Sequence, residues 1–398
     1  MFTSLFALTA TVVLSSASIT KQQYPIGAPV TVDSPKFHLT NDLVDLHRNL
    51  TTIESISGNE LKVGEWLDSF LQEQGYSTHA QEVDKERYNI LAWRGNNRNA
   101  KTLVTSHIDT VPPFYDYKIH KNGNTTLISG RGSVDAKGSV ATQIIATNQL
   151  LSEGKIGPDD VALLFVVGEE IHGDGMRAAN SLGLTPQNVI FGEPTEGKLA
   201  SGHKGIMGLT IRALGKSAHS GYPWLGRSAN EVMIKALAAL MELAQNLPTS
   251  EKFGTTTINI GKITGGVAAN VVAETAQASI AMRLAAGTPA EIQHQVLETL
   301  NAAVQDYRHD GEEVLEVEFA RSYAPVVLDH DVPGFDTIVV NYGTDVPNFD
   351  QTVKGQKRYL YGPGSILVAH SDHEAIRLED LEEAVGGYKK LILHSLKS

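Results

Sequence analysis

The sequence predicts an α/β fold: a catalytic domain with a mostly parallel central sheet flanked by helices, plus an inserted α+β domain of ferredoxin-like type. Three observations carry this. Over residues 41–200, short β-rich runs ("YNILAW", "TLVTSH", "VALLFVVG", "NVIFG") alternate with helical stretches such as "GSVATQIIATNQLLSEG". The run "VALLFVV" is apolar throughout, as suits a strand covered on both faces. After Lys204 the order changes to β-α-β-β-α-β, through "GIMGLTIRALG", "SANEVMIKALAALMELAQNL", "TTTINIGKI", "AQASIAMRLA", "PAEIQHQVLETLNAAVQDY" and "VLEVEFARS". The chain then returns with "KRYLYGPGSILVAHSDHE" and a last helix, "LEDLEEAVGGYKKLILHSL", to the first domain. The expected divisions are a signal peptide over 1–18, the catalytic domain over 19–204 and 322–398, and the insert over 205–321.

Composition narrows the function. A chain of 398 residues with 41% hydrophobic content is that of a globular enzyme, which excludes disorder and a multi-pass membrane protein. A formal net charge of -12 with no basic run excludes a nucleic-acid surface and favours a small or peptide-like substrate. The N-terminal "MFTSLFALTATVVLSSAS" is an apolar stretch, short for a bilayer span, that ends in small residues, Ser16 to Ser18. It predicts a cleaved signal and a secreted, extracellular protein; a buried or anchoring N-terminal segment is the alternative. No later segment is expected to cross a membrane. Two triplets, "NLT" at Asn49 and "NTT" at Asn124, are candidate glycosylation sites, though such triplets also arise by chance. With no cysteine, any metal must be held by histidines and carboxylates.

Metal-competent residues recur at the ends of the α/β segments. In "TSHIDTVPP", His107 ends a strand and Asp109, two positions on, points the same way, so one ring nitrogen can meet a metal while Asp109 holds the other. The alternative is a strand-end histidine and a turn aspartate. In "GRGSVDAKG", Asp135 stands between a glycine-rich loop and a helix, where it is either a ligand or an N-cap. Glu169 and Glu170 follow an apolar strand, an expensive place for adjacent carboxylates without a cation. Glu193 repeats the pattern after "NVIFG", with a solvated turn as its alternative, and "GPGSILVAHSDHE" places His370 at a strand end with His373 exposed beyond it. Two histidines and three carboxylates supply the hard and borderline ligands of a paired zinc centre, and sites in open α/β sheets form at the carboxyl ends of strands.

The motifs "SHIDTVP", "GRGSVDAKG", "GEE", "GEPT" and "AHSDHE", in this order and spacing, resemble the zinc metallopeptidase and deacylase family of glutamate carboxypeptidase, acetylornithine deacetylase, succinyl-diaminopimelate desuccinylase and the aminoacylases. The resemblance covers the chain after about residue 40, and the insert falls where that family has its lid. It implies two zinc ions per subunit, held by His107, His370, a bridging Asp135, Glu170 and Glu193. Asp109 would orient His107, and Glu169 would be the general base that moves a proton from the attacking water to the leaving amine. The family segment matched by "GKSAHSGYPWLGRSAN" makes His219 an oxyanion donor to a neighbouring subunit, and hence implies a homodimer through the lid. Asn270 and Arg283 become candidates for holding a substrate carboxylate, and Gly343 and Thr344 for a further substrate loop; polar loop, solvated-strand and ordinary-turn roles are the alternatives. The Ala136 that follows Asp135 replaces the Met or Asp of many relatives, while Glu193 resembles the carboxypeptidase and deacylase members more than the aminopeptidases. The expected function is a secreted zinc-dependent carboxypeptidase-like hydrolase cleaving an amide beside a free carboxylate through a metal-activated water. An N-acyl amino acid deacylase is the alternative. A serine hydrolase is disfavoured because no G-x-S-x-G elbow follows a strand, and a non-catalytic relative would lack a ligand or the base.

Overall fold

The computed structural model describes residues 39–397 except 124, 309, 310 and 352; the signal-like segment and Asn124 lie outside the described residues. Two main sheets are built from ten strands: β1 (Ser77–Asp84), β2 (Arg87–Trp93), β3 (Thr102–His107), β4 (Val161–Val166), β5 (Asn188–Gly192), β6 (Gly205–Leu214), β7 (Thr257–Gly265), β8 (Thr275–Leu284), β9 (Leu315–Tyr323) and β10 (Lys357–Tyr361). The larger sheet runs β1-β2-β4-β3-β5-β10. Its centre is parallel, β3 pairing with β4 and β5, and β10 with β5. β1 and β2 are antiparallel, because the two residues between them leave room only for a hairpin. The sheet is therefore mixed at one edge and parallel where the site forms.

Alternation along β3 to β5 sends Val104, Leu163, Phe165 and Ile190 into one core, and Leu103, Leu164, Val189 and Phe191 into another on the opposite face. Covering both faces is what the unbroken apolar runs require. Helices α1 (Leu39–Thr52), α2 (Leu61–Glu73), α3 (Lys137–Ser152) and α6 (Leu378–Ser395) cover the first face. α3 is buried on nearly all sides from Lys137 to Asn148, as befits a helix between the sheet, α1 and α6.

The β-α-β-β-α-β segment folds as its order predicts. Its sheet runs β7-β8-β6-β9, entirely antiparallel, and α4 (Ala229–Ala244) and α5 (Pro289–Ala303) pack on one face. Local signals set the helix starts: the Ser228 hydroxyl accepts the amide of Glu231, and Thr288 with Glu291 forms a reciprocal capping box before Pro289. Met207, Leu209, Ile211, Val232, Leu240, Ile280 and Val296 make a core distinct from the two around the large sheet. Residues 37–398 nevertheless belong to one unit by contacts.

Candidate active site and metal centre

The parallel strands end on the candidate residues. His107 closes β3; Glu169 and Glu170 follow β4 after the positive-φ Gly168; Glu193 follows β5. Two sequence placements need correction. His370 is not at a strand end, since β10 stops at Tyr361; it stands in a later turn with φ 61°. Asp135 neither ends a strand nor caps α3, whose N-cap is Ala136, and its carboxylate is thereby left free for the site.

That carboxylate lies between the two rings. Asp135 Oδ1 is 3.1 Å from His107 Nε2 and Oδ2 is 3.4 Å from His370 Nε2. Glu193 Oε2 lies 3.8 Å from His107 Nε2, and Glu170 Oε2 lies 3.0 Å from His370 Nε2. Donor atoms of His107, Asp135 and Glu170 lie within 4.8 Å of one another, and so do those of His107, Glu169 and Glu193. The structure thus brings together all five expected ligands and the expected base.

Asp109 does more than was expected of it. The His107 Nδ1 is closest to the Asp109 backbone carbonyl, at 3.0 Å, with the carboxylate at 3.4 Å. The carboxylate itself accepts the amides of Glu169 (3.1 Å) and Glu170 (3.2 Å) and the Ser57 hydroxyl (2.7 Å). One buried aspartate therefore fixes both the ring and the loop carrying two glutamates.

The electrostatics describe a site built around positive charge. Burial, with the charge of Asp135 beside it, pushes Glu170 up to about 7. Burial likewise pushes Glu193 up to about 8 against the pull of His107. Hydrogen bonds accepted by the Asp135 and Glu170 carboxylates raise His370 to about 10, and Asp135, despite burial, is held well below the usual carboxylate range by the two histidines. Among the described residues no lysine or arginine pairs with Asp135, Glu169, Glu170 or Glu193, and the Oε1 of Glu170 is buried without a partner. Imidazoles and carboxylates without thiolates, one carboxylate spanning two rings, and an orphaned ligand oxygen fit a pair of divalent cations.

Residues the sequence did not single out hold this geometry. Glu374, buried next to the exposed His373, accepts the amides of Val134 (3.0 Å) and Asp135 (3.2 Å) and binds Arg131 at 2.6 Å. Lys137, also buried, donates to the carbonyls of Leu50 (2.8 Å), in the last turn of α1, and Ile53 (2.9 Å), just past its end. Only the position of Glu374 inside "AHSDHE" could have drawn attention to it.

A cleft of about 390 Å³ lies over the cluster, lined by Asp135, Glu169, Glu170, Glu193 and His370 and, from the insert, by Arg283 and Tyr323. Gly343 and Thr344 line it too. A Cβ on Gly343 would meet the Tyr323 hydroxyl at 2.1 Å, and Thr344 is tied to His203 through Oγ1 and to the Tyr323 hydroxyl through its amide. His219 and Asn270 do not line the cleft: they are exposed neighbours on the insert, joined by the His219 to Val271 bridge and the Ser220 amide bonded to the Asn270 carbonyl. Asn49 is exposed on α1, but Thr51 of its triplet is buried. A larger hollow of about 800 Å³ beside α6 contains none of the cluster, and its Lys198 and Arg377 are paired with Glu196 and Asp380.

Residues 201–311 match the M20 peptidase dimerisation domain. A probable carboxypeptidase of Aspergillus flavus is 46% identical over 94% of this chain and 94% of its own length. The chain belongs to the M20 peptidase family. A tripeptidase from Staphylococcus aureus shares the fold with a TM-score of 0.74 at 21% identity, covering 90% of this chain and 99% of its own. An M20 family metallo-carboxypeptidase from Sulfolobus solfataricus does so with a TM-score of 0.70 at 18% identity, over 90% and 99%. This M20 protein is a carboxypeptidase-like peptidase with the family's catalytic and dimerisation folds.

Proposed function

We propose that this M20 peptidase is a secreted, two-zinc carboxypeptidase that cleaves the amide bond next to a free carboxylate. The observation that carries the reading is the Asp135 carboxylate placed between His107 and His370, with Glu170 and Glu193 at the outer sides. His107, Asp135 and Glu193 would hold one ion, and His370, Asp135 and Glu170 the other. Bound there, a zinc pair polarises the scissile carbonyl and makes a water acidic enough to attack near neutral pH. Glu169 stands in the cleft with its backbone fixed by Asp109, and its side chain takes the proton from the attacking water and returns it to the leaving nitrogen. Burial raises the affinity of Glu169 for that proton, as a shuttle needs. Arg283, which lines the cleft from β8, holds the substrate carboxylate by paired hydrogen bonds. His219 and Asn270, being outside the chain's own cleft, serve a neighbouring subunit in a homodimer formed through the insert. The signal-like N-terminus supports secretion.

The test compares N-blocked dipeptides, the same dipeptides as C-terminal amides, and N-acyl amino acids in one assay on zinc-loaded protein. The carboxypeptidase reading expects turnover of the first and little of the second. Preference for simple acyl amino acids would make the protein a deacylase instead.

A further inference from the structure

The cleft contains a second arginine. Arg321 lies on β9, where the pairing with β6 slips between Phe319 and Ser322, so Ala320 and Arg321 form a bulge opposite Gly208. Bulges re-aim side chains, and this one turns Arg321 into the lining of the cleft. Its guanidinium makes one long contact, 3.4 Å to the carbonyl of His172, just past Glu169 and Glu170. Among the described residues neither Arg321 nor Arg283 is paired with a carboxylate. Two unpaired arginines therefore face a cleft whose own acids are taken up by the metal cluster.

The surface between them is shaped for a side chain. β6 separates β8 from β9, and Arg283 pairs across it with Ile206 while the bulge flanks Gly208. Ala281, Gly208 and Ala320 form the floor, and it is shallow: a Cβ on Gly208 would meet the Ala320 Cβ at 3.1 Å. Arg283 is level with Ile206 and Arg321 with Gly208, two residues along β6, so at the usual strand spacing and rise the two arginine backbones stand roughly 12 Å apart across that one strand, and their long arms can close on two carboxylates of one residue. We infer that Arg321 selects substrates whose C-terminal residue carries an acidic side chain, Arg283 taking the main-chain carboxylate and Arg321 the side-chain one. This rests on the carboxypeptidase reading and deepens it. A guanidinium offers paired donors to a carboxylate, whereas a neutral amide of the same shape leaves it half satisfied.

The experiment measures kcat/KM for N-blocked dipeptides ending in Glu, Gln and Lys, with wild type, R321Q and R321E. The expected wild-type Glu-to-Gln ratio is about tenfold or more. R321Q should bring that ratio close to one, and R321E should favour Lys over Glu; a charge reversal that follows the residue cannot arise from damaged folding. A wild-type ratio near one, or a ratio that survives in R321Q, overturns the inference while leaving the carboxypeptidase reading intact. Wild type inert on all three peptides overturns both.

Discussion

Oε1 of Glu374 lies 3.2 Å from the backbone nitrogen of Asp135, the residue whose carboxylate stands between His107 and His370. The same carboxylate neutralises the buried Arg131 at 2.6 Å. Replacing Glu374 with Ala leaves that cation without its partner, at a cost of about 3–5 kcal/mol. It also frees the Asp135 backbone, so metal affinity should fall by roughly 10- to 100-fold. Denaturant unfolding and metal titration on the same variant check the two effects separately. A variant with wild-type affinity would show that Asp135 keeps its place without Glu374.

Glu169→Gln removes the proton carrier while keeping the backbone amide that Asp109 accepts. Turnover of an N-blocked dipeptide should drop by about 10²- to 10⁴-fold, with metal content unchanged. Steady-state kinetics beside metal analysis decide it; a near-normal rate would take the proton shuttle away from Glu169.

Two buried histidines outside the ligand set give stability a pH dependence. His47 donates from Nε2 to the Ser133 carbonyl at 2.9 Å while its Nδ1 is unpartnered, and His203 lies between Thr344 and the Lys204 carbonyl. Burial lowers each from the usual histidine value to about 4. The unfolded chain takes up these protons near pH 6.5 while the folded chain resists them until about pH 4. Their stabilising effect is thus complete above about 6.5 and falls as pH drops toward 4, by up to about 3 kcal/mol each. Chemical denaturation of metal-saturated protein across that range should show the decline, and His47→Gln should make it shallower. An unchanged slope in His47→Gln would assign the pH dependence elsewhere.

The sequence made the framework legible because the signals were local. The apolar run of β4 marks a strand buried on both faces, and "PAEIQHQVLETLNAAVQDY" marks α5. The places of His107, Glu170 and Glu193 were legible for the same reason, each ending or following a strand that could be recognised by itself. His370 was harder to place because it stands in a turn after the last strand of the sheet has ended, and its positive φ has no compositional mark. Glu374 and Lys137 were missed because a charged residue shows its burial only once Arg131, or the end of α1, has folded against it. The role of Arg321 was hidden too, since a bulge depends on the register between two strands over a hundred residues apart.

The central claim is that His107, Asp135, Glu170, Glu193 and His370 hold two metal ions on which hydrolysis depends. Metal content and N-blocked dipeptide turnover, followed together in one sample through chelation and re-addition of zinc, test it most directly. Two ions per chain, with activity lost as they leave and regained as they return, is the predicted result. Full turnover by thoroughly stripped protein would contradict it.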